Sequence, residues 1–148
     1  MLLYPGGAPF AVGRAAFLDD RPGSEEGTAK IYVKIEPDAL GDVVLAQVDT
    51  GAAWTILERE IAESVGLLDG EGPMVRLDTR FGPIDGRLER TPIRLLADEG
   101  VSLEVQATVF VSRDWPAGNF IGYNGLLERV RFAIDPRENL FHFGSADL

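Results

Sequence analysis

Apolar and polar residues alternate with a period of two along most of the chain, a pattern that predicts strands with one buried face. Ile31, Val33 and Ile35 alternate with Tyr32 and Lys34, and a second run over residues 43–48 leads straight into Asp49. Pro37 and Gly41 between these runs supply the loop of a hairpin. Residues 74–79 and 86–96 form two more strand-like runs around Arg80-Phe81-Gly82-Pro83-Ile84-Asp85, whose Gly and Pro predict a projecting hairpin with a mobile tip. After a turn at 97–100, Val101, Leu103, Val105, Ala107, Val109 and Val111 share one face of a long strand expected over 101–111. A closing hairpin is expected where Phe132, Ile134, Leu140, Phe141 and Phe143 flank the turn Asp135-Pro136-Arg137-Glu138-Asn139.

Helical spacing is confined to short stretches. Ile61 and Val65 predict one helix over 58–65, stopped by Gly66. A second brief helix is expected over 124–130, after a loop at 115–118 and the apolar piece Asn119-Phe120-Ile121-Gly122. Residues 1–28 are rich in Gly and Pro and read as an arm around one possible strand within 10–18. Residues 29–148 read as one domain without internal repeats. Many short strands and few helices make the fold class mainly β.

Composition narrows the functions. At 148 residues and 45% hydrophobic, the chain suffices for one core. A net charge of -10, with Lys30 and Lys34 the only lysines, argues against a nucleic-acid partner and fits a solvated surface. Without Cys there is no disulfide framework, thiolate nucleophile or Cys-based zinc site. No apolar run approaches the roughly 20 residues of a membrane span, and residues 1–10 lack a secretory pattern, so no membrane partner and a cytoplasmic location are expected.

The candidate chemistry lies at Asp49-Thr50-Gly51-Ala52, where a buried strand meets a turn. Asp-Thr-Gly is also an ordinary turn sequence, with Asp as a local backbone acceptor. Hydrolysis by paired acids needs two carboxylates close enough to share one proton, one acting as base on a water while the other polarises the carbonyl. Asp49 would supply the carboxyl, Thr50 a hydroxyl to lock loops together, and Gly51 room for backbone to approach carboxylate and substrate. Ala52 keeps the site small, and the strand before it holds the loop. The second element is Phe120-Ile121-Gly122-Tyr123-Asn124, downstream and before a helix-like stretch.

With these elements in order, residues 29–144 resemble the retropepsin-like aspartic proteases, which carry Asp-Thr-Gly-Ala after an apolar strand and later two apolar residues with Gly. The resemblance implies a single-lobe acid-protease fold, a closed barrel-like sheet with a flap hairpin. It further implies one Asp per chain, a symmetric homodimer with its axis between two Asp49 residues, and water as nucleophile without metal or cofactor. An extended peptide or protein segment would lie beneath the flap as an added strand. Carried over residue by residue, the catalytic set is Asp49, Thr50 and Gly51, with Thr50 bonding across the axis. Substrate would meet Ala52, Ala53, Phe81, Gly82, Ile84, Ile121 and Gly122. Ala53 and Trp54 replace the acidic residues usual after the tetrapeptide in retroviral members, and the helix at 58–65 resembles bacterial or cellular ones.

The function expected is that of an aspartic endopeptidase active as a homodimer. The alternative is a catalytically inactive lobe serving as a peptide-binding or dimerisation module. His142, between Phe141 and Phe143, reads as structural, and no Gly-x-Ser-x-Gly elbow exists to pair with it. Trp54 reads as packing, and Asp69, Glu71, Asp78 and Asp85 lack calcium-loop spacing and read as solvated surface.

Overall fold

Six strands close into a mixed barrel that takes up the alternating apolar residues. The computed structural model describes residues 2–18 and 30–146. In chain order the strands are β1 (Gly13–Ala16), β2 (Ile31–Pro37), β3 (Val44–Val48), β4 (Thr55–Ile56), β5 (Met74–Thr79), β6 (Gly82–Leu95), β7 (Glu99–Gly100), β8 (Leu103–Val111), β9 (Asn119–Ile121), β10 (Val130–Asp135) and β11 (Leu140–Ser145). One helix, α1 (Arg59–Ser64), and 3-10 turns at Leu67–Asp69 and Leu127–Arg129 accompany them. The barrel runs β2-β3-β9-β4-β8-β6, and β6 pairs back onto β2 through Ile35 and Leu95. A second sheet, β10-β11-β1-β7, packs beside it.

The period-two pattern sets which side chains enter the barrel. Val33, Ile35, Ile93, Leu95, Val105 and Val109 point inward, each at most 5% exposed. Burying such a side chain contributes about 1.5–3 kcal/mol, so the alternation fixes the register of each strand. The second sheet joins the same core through Phe141, Phe143, Ala15 and Phe17. Ile56, Ile84, Phe110 and Trp115 form a separate cluster under the β5–β6 hairpin.

Several boundaries differ from the sequence reading. The tip expected over residues 80–85 is the two-residue turn Arg80-Phe81, because β6 begins at Gly82 and pairs with β5 from Thr79–Gly82 inward. Pro83 is tolerated inside this strand because it faces only Asp78 of β5, leaving its nitrogen without a ladder to serve. Gly82 has φ +92, a turn conformation that suits glycine. The strand expected from Val101 starts at Leu103, and Val101 is 64% exposed. Within the expected turn at 97–100, Glu99 and Gly100 pair with Arg14 and Gly13 of β1. The helix expected over 124–130 is one 3-10 turn, because Gly125 adopts φ +85 and Leu126 a non-helical conformation at the turn's start. The helix expected over 58–65 is α1. The possible first strand within 10–18 contains β1, which pairs with β11; the Pro22-Gly23 part of the arm lies outside the described residues.

Candidate active site

Two parallel pairings place the candidate loop. β3 runs parallel to β9 from Ala46–Asn119 to Val48–Ile121, and β4 runs parallel to β8. Residues 49–54 therefore leave β3 beside the end of β9 and must cross to β4. At that crossing the Asp49 backbone N–H donates to the Ile121 carbonyl at 2.9 Å, continuing the β3–β9 ladder one residue past the strand. Tyr123 and Asn124 donate their N–H groups to the Ala52 and Ala53 carbonyls at 2.9 and 3.0 Å. The tetrapeptide and the apolar Gly turn, about 70 residues apart, form one hydrogen-bonded unit.

Within the loop, the Gly51 N–H donates to Asp49 Oδ1 at 2.9 Å, the local acceptor role expected of Asp in such a turn. A side chain at position 51 would stand 3.3 Å from that oxygen, so glycine leaves the carboxylate open on this flank. Behind the loop, the Gly122 N–H donates to Thr55 Oγ1 at 3.0 Å, and Thr55 is fully buried. A Cβ at Gly122 would overlap the Trp54 carbonyl, so only glycine allows this approach of two backbones. These bonds fix Asp49 from below while its side chain remains half-exposed. Thr50 is exposed at the outer side of the loop.

In front of Asp49 lies an open cleft of about 390 Å³. Its floor is apolar, drawn from Trp54, Ile56, Trp115 and Phe120, and the β5–β6 hairpin overhangs it with Leu77, Arg80 and Phe81. The flap tip is held by side chains: Phe81 packs edge-on against Trp115 at 5.9 Å, and Trp115 packs edge-on against Phe120 at 5.9 Å. The Trp115 Nε1–H donates to the Gly118 carbonyl at 2.9 Å, which fixes the indole between the two phenylalanines. At the tip, Thr79 Oγ1 accepts from the Phe81 N–H and donates to the Gly82 carbonyl.

Of the residues singled out by sequence, Asp49, Gly51, Ala52, Ala53 and Phe81 line the cleft together. Ile84, Ile121 and Gly122 do not. Ile84 is buried beneath the hairpin with Phe110, and Ile121 and Gly122 are buried behind the Asp49 loop, so they support the cleft without lining it. Gly82 belongs to the flap turn and Thr50 to the loop's outer face; neither lines the cleft. Trp54, read as packing, lines the cleft as well as packing on its floor. Trp115, Phe120, Leu77, Arg80 and Lys30 also line it and were not singled out as site residues. The aromatic piece before Gly122 was the one available signal for Phe120.

His142 stands away from this cleft, opposite Arg14 across the β1–β11 ladder. Desolvation, and then the Arg14 charge, hold its pKa below the ordinary 6.5, with Asp135 opposing them. Among the described residues, no group of three or more His, Cys, Asp or Glu is placed to hold a metal ion, and no helix is long and apolar enough to cross a membrane.

A barrel with a flap, and an Asp-Thr-Gly loop tied to a buried Ile-Gly turn, define the retropepsin-like acid-protease fold. Among the solved structures that match it is a retropepsin-like aspartic protease from Rickettsia conorii, similar at a TM-score of 0.53 and 19% identity over 88% of this chain and 89% of that one. No protein-family model and no curated protein matches the sequence.

Proposed function

We propose that the chain is an aspartic endopeptidase, active as a homodimer in which two Asp49 carboxylates share one proton. The observation that carries this reading is the Asp49 loop, rigidly tied to the Ile121–Gly122 turn and opening on a cleft beneath a flap, in a chain of retropepsin-like fold. The chain's single Asp-Thr-Gly supplies half of the required pair, and a two-fold axis beside the exposed Thr50 would supply the other. An extended peptide entering between floor and flap would place its scissile carbonyl over the two carboxylates. The ionised carboxylate takes a proton from water, and the resulting hydroxide adds to the carbonyl carbon as the protonated partner donates to its oxygen. Proton transfer to the amide nitrogen then lets the carbon–nitrogen bond break.

Asp49→Asn tests the reading. Cleavage of an unfolded protein substrate by the purified protein is expected to fall by at least about a thousandfold, a loss typical of a missing member of such a catalytic unit, with unfolding midpoint and oligomeric state retained. Undiminished proteolysis by that variant rejects the assignment. A mimic carrying a hydroxyl in place of the scissile carbonyl is expected to inhibit at far lower concentration than the matching substrate binds.

A further inference from the structure

The groove continues past the Asp49 cleft. A second hollow of about 610 Å³ adjoins it, and Lys30, Gln47, Arg80, Phe81 and Phe120 line both. These shared residues form the neck between them, and beyond it the second hollow adds the polar side chains of Tyr32 and Asn119. An extended peptide leaving the cleft through this neck would enter the second hollow next.

Two cations stand at the neck. Neither Lys30 nor Arg80 forms an ion pair with another described residue; Lys34, Arg87, Arg90 and Arg137 share this property but line neither hollow. The Arg80 guanidinium lies 4.9 Å from the centre of the Phe81 ring, which holds it at the neck and leaves its N–H groups for another partner. The acids lining the same space are Asp49 in the catalytic loop, Asp78 on β5 and Glu58 in the second hollow. In a chain of net charge -10, an acidic peptide is repelled by most of the surface, and Lys30 and Arg80 are the cations that line both hollows.

We propose that the neck and second hollow form a subsite for one acidic side chain, Asp or Glu, of the peptide substrate, held by Lys30 and Arg80. The inference rests on the protease reading for the word substrate; the recognition itself is a binding property. Side chains of an extended peptide alternate in direction and advance about 3.3 Å per residue, so the preference is confined to one or two positions on one side of the cleaved bond. Exposed ion pairs each contribute a factor of about 1.5 to 5, so two together give roughly two- to twenty-five-fold, diminished by salt.

The test measures binding of fluorescent peptides to the Asp49→Asn protein, each peptide carrying a single Glu moved stepwise along an otherwise identical Gln-containing sequence. One register is expected to bind about two- to twenty-five-fold more tightly than the all-Gln peptide. The advantage is expected to disappear in Arg80→Gln and Lys30→Gln versions, whose unfolding midpoints confirm their fold, and at about 0.5 M salt. No preferred register, no binding of any peptide, or an advantage that survives both substitutions overturns the proposal. Cleavage by the unsubstituted protein separates the two readings. Cleavage with no Glu preference in binding leaves the protease and removes the subsite. Register-specific Glu binding without cleavage retains the subsite and removes the protease.

Discussion

Thr55 carries more of the site than its distance from the chemistry suggests. Its hydroxyl is the acceptor for the buried Gly122 N–H, and Thr55→Val keeps the shape while removing that acceptor. An unsatisfied buried donor costs about 1–3 kcal/mol, so the urea midpoint is expected to fall accordingly, and an unchanged midpoint would show the bond to be dispensable. His142 gives a second prediction, with its sign set by burial. Its folded-state pKa lies below the ordinary 6.5, so the unfolded chain takes up the proton first as pH falls. The stability contributed by neutral His142 is therefore complete above 6.5 and is lost as pH drops through that value toward the folded one. Between about pH 7.5 and pH 5.5, His142→Gln is expected to lose less melting temperature than the unsubstituted chain; parallel losses would assign the trend to other groups. At this scale the sequence was legible where chemistry constrains residue type, as at Asp49 and Gly51. It was not legible at Thr55 or Trp115, because nothing local in a Thr or Trp reveals a backbone partner many residues away.

The β5–β6 hairpin is an element with two mechanical halves. From Arg87 to Leu95, β6 lies against β8, and Ile93 to Leu95 pair also with β2; from Gly82 to Gly86 its only ladder partner is β5. Amide exchange is expected to divide accordingly, with residues 88–95 close to the global unfolding limit and residues 74–86 exchanging at least tenfold faster. Uniform protection along β6 would show that the flap does not move independently. Phe81 on Trp115 at the tip and Ile84 on Phe110 beneath it keep the outer half down. The hairpin's existence and strand β5 were readable from alternation. Its length was not, because Gly82 and Pro83 look like loop residues until pairing on one side only makes room for them. The same limit applied to the helix expected at 124–130: Leu126, Leu127 and Val130 have helical spacing, but the positive φ of Gly125 and burial against the barrel core favour a single tight turn.

At the scale of the whole molecule, the dimer reading makes activity a matter of concentration. Specific activity is expected to rise with protein concentration and level off once subunits are paired, following the dimer fraction measured by sedimentation. Activity constant across a range in which sedimentation shows only monomers would exclude a shared site. Fold class was readable from the many strand-like runs and few helical stretches, and so were the β10–β11 hairpin and a possible strand where β1 lies; the second sheet's β7 edge was not, since it comes from a stretch read as a turn. Asp49 is steadied by Ile121 and, through Thr55, by Gly122, partners that leave the ribosome long after it does. Until that late segment emerges and pairs beside β3, Asp49 sits on an unanchored turn, so on the protease reading the acid site of a nascent chain forms only once its barrel has shut.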